Sequence, residues 1–332
     1  MEQWRIGRIA RFLVNLRDVR FRLKPRIGWR VRFPGNDMNA IDQSGRTRIR
    51  NSGETLSQRR RAQLVSRCVI CVVVAGSLGG LFFTPANGWS YAIDLLVRSY
   101  LAFVGTVMAH EGSHGLLGRT RSANLWWGRL ALVPSMVPFT NFRRTHLLHH
   151  RHTNLEQQDP DHFIKPGANR EWELPIRAIA MPHHWFFWLR DRDSVNSTHL
   201  RELILNYLGI ALVYLPILLS VGTFRLVSGM LPLLVLVSLL LWYPFAFKTH
   251  EGFSTGSADS RSHNYYGRFM YWLSFGLSMH RTHHMRPYLT WIELLPFVER
   301  NPKRAVSLIP QRDIRIDDER PGPHAQSASQ HA

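Results

Sequence analysis

The sequence predicts an all-α integral membrane protein: four transmembrane helices in two hairpins, with a cytoplasmic helical cap carrying a histidine-rich di-metal site. Three observations lead there. Apolar residues make up 45% of the 332-residue chain and come in long blocks. Positive charge, 42 Lys+Arg against 23 Asp+Glu, is almost confined to the segments on one side of those blocks. The 17 histidines are bunched, several at helical spacing.

Composition removes other classes first. With 11 Trp and 18 Phe the chain as a whole is not disordered, and with 2 Cys it is not a disulfide scaffold. Residues 1–61 form a tail rich in Arg and poor in acid. It reads as a disordered or membrane-surface segment attracted to anionic lipid, with an organellar transit peptide as the alternative. No nucleic-acid motif accompanies the charge, so no nucleic-acid partner is expected. Residues 62–300 read as the membrane domain and 301–332 as a polar, disordered C-terminal tail.

Within the membrane domain four segments are long enough for a hydrocarbon core of roughly 30 Å. The first, about Leu64–Thr84, contains Cys68 and Cys71, which read as buried small residues rather than a redox pair. The second, about Trp89–Ala109, follows the short Pro85–Gly88 turn. It carries Asp94 and Arg98, an acid-first i,i+4 pair that can pair internally or snorkel. The third, about Leu203–Gly222, and the fourth, about Leu226–Phe247, are joined by only a few residues and predict a second hairpin. Leu125–Phe139 is too short and too broken by Pro134 and Pro138 to span, and reads as a re-entrant or interfacial segment. Trp185–Trp188, followed by Arg190 and Arg192, suggests a helix in the headgroup layer. Nearly all Lys and Arg lie in the N-terminal tail, the Glu111–Glu202 loop and the segment after Phe247. Four spans place all three on one face, which the positive-inside rule makes cytoplasmic, with both termini there.

That face receives three histidine boxes: His110-Glu-Gly-Ser-His114, His146-Leu-Leu-His149-His150 and His280-Arg-Thr-His283-His284. Residues three and four apart share a helical face, so each box presents two or three imidazoles to one side. The first box begins where the second span ends, and the third follows the fourth span. Eight imidazoles are too many for one ion and suit two. An all-nitrogen set favours iron, zinc or copper over magnesium or calcium. Glu111, Asp159, Asp161 and Glu251 are available to orient the rings. His183, His184, His199, His324 and His331 read as solvated or hydrogen-bonded; His152, His162 and His263 are intermediate.

With its three boxes on four spans, and with His146-Leu-Leu-His-His-Arg-His-Thr-Asn154 followed by Asp159-Pro-Asp161, the chain resembles the membrane fatty acid desaturase/hydroxylase superfamily from about Leu64 to Pro296. The resemblance implies a non-haem di-iron centre that uses O₂ and electrons from an external donor. It implies His110, His114, His146, His149, His150, His280, His283 and His284 as ligands. His250, three residues beyond the fourth span, is implied as the ninth, with His263 as competitor. Glu111, His152, Asn154, Asp159, Asp161 and His263 are candidates to support them. No cytochrome b5 motif or rubredoxin Cys pattern is present, so a separate donor of ferredoxin, rubredoxin or cytochrome b5 type is expected, in a bacterial inner membrane. The expected substrate is a membrane lipid or acyl chain. Desaturation of a fatty acyl chain is the first reading, and hydroxylation of a lipid or carotenoid is the alternative. His110-Glu111-Gly-Ser-His114 also satisfies HExxH, so an intramembrane zinc protease is the distant rival.

Overall fold

The computed structural model describes residues 53–155, 157–164, 173–192, 194–250, 253, 261–265 and 267–299. Most of the basic N-terminal tail, Glu251 and the expected C-terminal tail lie outside the described residues. Among the described residues the fold is helical, with no strand.

α1 (Gly53–Gly79) turns its Ile70 and Val73 inward and leaves Leu64 and Val72 exposed, the distribution expected of a helix with lipid on one side. It ends in a 3₁₀ turn, Gly80–Phe82. α2 (Gly88–Ser113) begins at a reciprocal cap, in which the Asn87 side chain accepts from the Ser90 N–H and Ser90 Oγ accepts from the Asn87 N–H. From Ser99 onward α2 is mostly buried, and it forms the axis of the core with Phe103 and Met108.

The segment expected to lie re-entrant is two elements, not one. α3 (Arg121–Leu132) is followed by a 3₁₀ turn, Val133–Ser135, and Pro138 then starts α4 (Phe139–His152). α3 lies against α2 at glycine distance: a Cβ on Gly105 would stand 2.4 Å from the Ala131 carbonyl oxygen. This segment therefore packs on protein. α5 (Glu173–Arg190) buries Ala178, Met181, Trp185 and Leu189 at helical spacing and exposes Phe187. The expected headgroup helix is thus half core, because one face of it covers α4.

Among the described residues three helices are long and apolar enough to cross a membrane: Leu56–Phe82, Gly88–Ser113 and Ser197–His250. The third and fourth expected spans fall in that last 54-residue stretch, which comprises α6 (Ser197–Leu236), a π-helical run Val237–Phe247 and a 3₁₀ turn Lys248–His250. It is broken at Gly222, where φ is 79° and ψ 163°, backbone that favours glycine. Tyr214 Oη lies 3.8 Å from Sδ of Met230, sixteen residues later. An unbroken α-helix would separate them by roughly 24 Å. The chain therefore folds back at Gly222.

The fold-back is tied to the first helices through charge. Arg98 is 1% exposed, and its Nε donates to both oxygens of Asp94 at 3.2 and 3.1 Å. The pair therefore forms internally and does not snorkel. Arg225, near the bend, lies 3.7 Å from Asp94 and donates to the carbonyls of Gly80, Leu81 and Phe83. The chain finishes with α7 (Arg268–Leu273), a 3₁₀ turn Leu277–Met279, α8 (His280–Met285) and α9 (Leu295–Glu299).

Candidate metal centre

The nine imidazoles expected from the three boxes and His250 converge into two groups. One holds His110, His114, His146, His150 and His283; the other holds His149, His250, His280 and His284. Within each group one nitrogen from every ring lies within 4.8 Å of the others.

Helix geometry explains the division. The second box occupies the last two turns of α4 and the third occupies α8. In an HxxHH box the first and last histidines are i and i+4 and share a face, while the middle one is turned roughly 100° away from the last. His146 and His150 therefore enter the first group together, and His149 enters the second. In the third box His280 and His284 enter the second group, and His283 enters the first. Each HxxHH box thus contributes two rings to one group and one to the other. His110 and His114, also i,i+4, complete the first group from the end of α2. The groups meet where the His150 and His284 rings stack, 4.1 Å apart and inclined by 16°.

The donor set fits metal ions on a proton argument. Carbonyl and carboxylate oxygens facing a ring nitrogen oblige that nitrogen to carry the hydrogen. His149 Nδ1 donates to Asp159 Oδ1 at 2.9 Å, and His250 Nδ1 donates to the Arg261 carbonyl at 3.0 Å. In the neutral rings both Nε2 atoms are then bare lone pairs, and they face each other at 3.1 Å. His250 Nε2 also lies 2.7 Å from His280 Nε2, which lies 3.2 Å from His284 Nε2. Lone pairs gathered in this way call for a shared cation. In the first group, His114 and His146 approach at 2.8 Å and His150 and His283 at 3.1 Å through Nε2, and buried His110 Nε2 has no hydrogen-bond partner among the described residues. Burial, reinforced by neighbouring positive charge, holds His114, His146, His150, His280, His283 and His284 well below the usual imidazole range. They are neutral at pH 7, the state in which imidazole binds metal.

The supporting residues divide. Asp159 is 2% exposed and accepts from His149, from the Asn154 N–H at 2.7 Å and from the Asp161 N–H at 2.9 Å. Burial would raise its carboxyl, but His149 and the two amides outweigh it and hold it below the usual range. Asp161 lies 3.6 Å from His149 and accepts from the Trp185 indole at 2.8 Å; burial pushes its carboxyl up to about 6. Asn154, with φ of 71°, donates from its side chain to the Arg261 carbonyl and so braces the acceptor of His250. His152, His263 and Glu111 belong to neither group. His263 packs against Phe253 and Tyr265. Glu111 Oε2 accepts the backbone N–H of Trp291. His199, expected to be solvated or hydrogen-bonded, faces Asn141 Oδ1 at 2.9 Å and Arg144 at 3.3 Å.

A narrow cavity of about 40 Å³ reaches both groups. Its apolar walls include Phe103 and Val107 from α2, Phe142 from α4, Trp185 from α5 and Leu277; its histidines are His110, His146, His149 and His280. Sequence reasoning missed Phe142 and Trp185 as wall residues. The signal available for Trp185 was the spacing of Ala178, Met181, Trp185 and Leu189, which marks the buried face of α5.

Comparison with known proteins bears on this arrangement. The family description "Fatty acid desaturase" matches residues 90–305, a stretch that includes all nine histidines of the two groups. The chain belongs to the fatty acid desaturase family. Among curated proteins, the chain is 27% identical over 124 residues to an sn-1 oleoyl-lipid 12-desaturase of Anabaena variabilis, a stretch that covers 35% of this chain and 33% of that one. It is 32% identical over 81 residues to an sn-1 acyl-lipid omega-3 desaturase (ferredoxin) of Synechocystis sp., covering 24% of this chain and 23% of that one. The matched stretches thus span a third or less of these relatives.

Proposed function

We propose that this family member is an O₂-dependent desaturase of a lipid acyl chain, with one iron ion held by each histidine group. The observation that carries the reading is the cavity whose apolar walls end on imidazoles of both groups. The reaction must break an unactivated C–H bond, which no side chain can do; bound iron would supply the activation of O₂ and the hydrogen abstraction. The protein's residues do the rest. His110, His114, His146, His150 and His283 hold one ion, and His149, His250, His280 and His284 the other. Asp159 keeps the His149 proton on Nδ1, so that Nε2 presents its lone pair to a metal. Phe103, Val107, Phe142, Trp185 and Leu277 exclude water from the space beside the imidazoles.

The fold-back at Gly222 supports four membrane crossings, and the distribution of Lys and Arg supports a multi-pass inner-membrane topology with the histidine groups and both termini cytoplasmic. The relatives' names support a glycerolipid acyl substrate and an external ferredoxin-type donor. An HExxH protease would need Glu111 as general base beside the metal, and that carboxylate is engaged with Trp291 instead.

The test is metal analysis of the purified protein together with lipid profiling of cells that express it. About two irons per chain and an acyl product lacking two hydrogens are expected. A product that gains one oxygen would make it the hydroxylase of the same superfamily. Full zinc with no iron would refute the proposal.

A further inference from the structure

The segment after the third box is pinned more firmly than its sequence suggests. Trp291, seven residues beyond His284, is 4% exposed and uses every polar atom it has. Its backbone N–H donates to Glu111 Oε2 at 3.1 Å, its indole N–H donates to Ser66 Oγ at 3.0 Å, and its carbonyl accepts from the Tyr271 hydroxyl. Trp291 also closes a neck. Gly276, with φ of +79°, lies so close that a Cβ there would stand 3.1 Å from the Trp291 Cβ and 3.3 Å from its Cα. The Phe275 ring packs on the indole at 5.0 Å. Residues 276–291 are therefore a loop shut at its base, with the third box inside it.

The base of that loop is fastened to the first box. Glu111 follows His110 on α2, is 3% exposed and lies in neither histidine group. Its bond to Trp291 joins positions 180 residues apart. Inside the loop, His283 comes within 4.3 Å of the His110 ring and 4.8 Å of the His114 ring, measured between ring centres. Of the three boxes that feed the first group, this buried contact joins the first and the third.

We infer that Glu111 is a positioning residue: by accepting the Trp291 N–H it sets the distance between the first and third boxes, and so the fit of the first histidine group around its ion. The inference rests on the reading of that group as a metal site. Glu111 touches neither cavity nor imidazole nitrogen, and it acts through the neck.

The experiment uses the full-length protein in detergent, with metal per chain, resistance to a chelator, and unfolding of the chelated protein as readouts. Glu111→Gln retains an oxygen acceptor and Glu111→Leu does not. The Gln variant is expected to hold both ions. The Leu variant is expected to lose metal from the first group, about one ion per chain, while its chelated form unfolds within a few degrees of chelated wild type. Full metal content and wild-type chelator resistance in the Leu variant would overturn the inference, as would equal loss in the Gln variant. If the Leu variant does not fold, Glu111→Ser, polar but too short to reach the Trp291 N–H, replaces it with the same expectations, and full metal content in that variant overturns the inference. Wild-type protein that binds no transition metal would instead overturn the metal-site reading, and this inference with it.

Discussion

Asp159→Asn tests the second histidine group at its most constrained point. In the native site Oδ1 accepts from His149 Nδ1–H and from the Asp161 N–H, both at 2.9 Å, while Oδ2 accepts from the Asn154 N–H at 2.7 Å. Asparagine can keep the first two bonds through its single oxygen. Its NH₂ must then face the Asn154 N–H, donor against donor, in a buried site. One unsatisfied buried donor costs about 1–3 kcal/mol. The carboxylate's charge, which favours the His149 proton on Nδ1, is lost as well. Disrupting an outer partner of this kind typically weakens metal binding by about 10–100-fold, or roughly 1.4–2.8 kcal/mol. The assay is a chelator titration of the purified protein with metal counted per chain. The ion held by His149, His250, His280 and His284 should be stripped first, at a chelator concentration lower by that factor. If Asp159→Asn keeps both ions with wild-type resistance, the account of how His149 is oriented is wrong.

Other outcomes follow from the same structure. Stability of the chelated protein should fall as pH drops below about 7. The unfolded imidazoles protonate near 6.5, whereas His114, His146, His150, His280, His283 and His284 resist protonation when folded, so the unfolded state binds more protons. Each imidazole that stays neutral contributes a loss of about 1.4 kcal/mol per pH unit below 6.5 until its folded pKa is reached; a flat Tm between pH 7 and 5 would contradict this. Trp185→Phe removes the indole donor to Asp161 and should cost about 0.5–1.5 kcal/mol in thermal unfolding, with metal content unchanged. Trp185→Ala should cost about 3–5 kcal/mol by opening the cavity wall. Gly222→Ala forces a side chain into glycine backbone and should cost about 1–3 kcal/mol, read as a lower Tm.

Much of the site was legible because imidazole spacing and helix pitch are local properties. The i,i+4 pairs in each box are positions that short-range periodicity can mark, while His250, at the end of the last apolar run, came from the family resemblance. Asp159 and Asp161 were legible as carboxylates close in sequence to the second box. What escaped were contacts that depend on distant partners. His152 and His263 carry the same chemistry as the nine, but only the fold turns them away from the groups. Glu111 looked like a base beside a metal pair, and its partner Trp291 lies 180 residues away. The expected hairpin of the third and fourth spans does appear, as a reversal at Gly222 within one apolar stretch; only the exact residue that turns was not legible. Leu125–Phe139 splits at Pro134 and Pro138, which hydropathy alone registers only as a weak span.

The shared allocation of the two HxxHH boxes has a mechanical consequence. Since α4 and α8 each lend a lone ring across the divide, the gap between the two nests is measured out by the pitch of two short, rigid rods rather than by any loop. Sliding either rod would distort both nests together. The pair is spaced like the fixed jaws of a caliper.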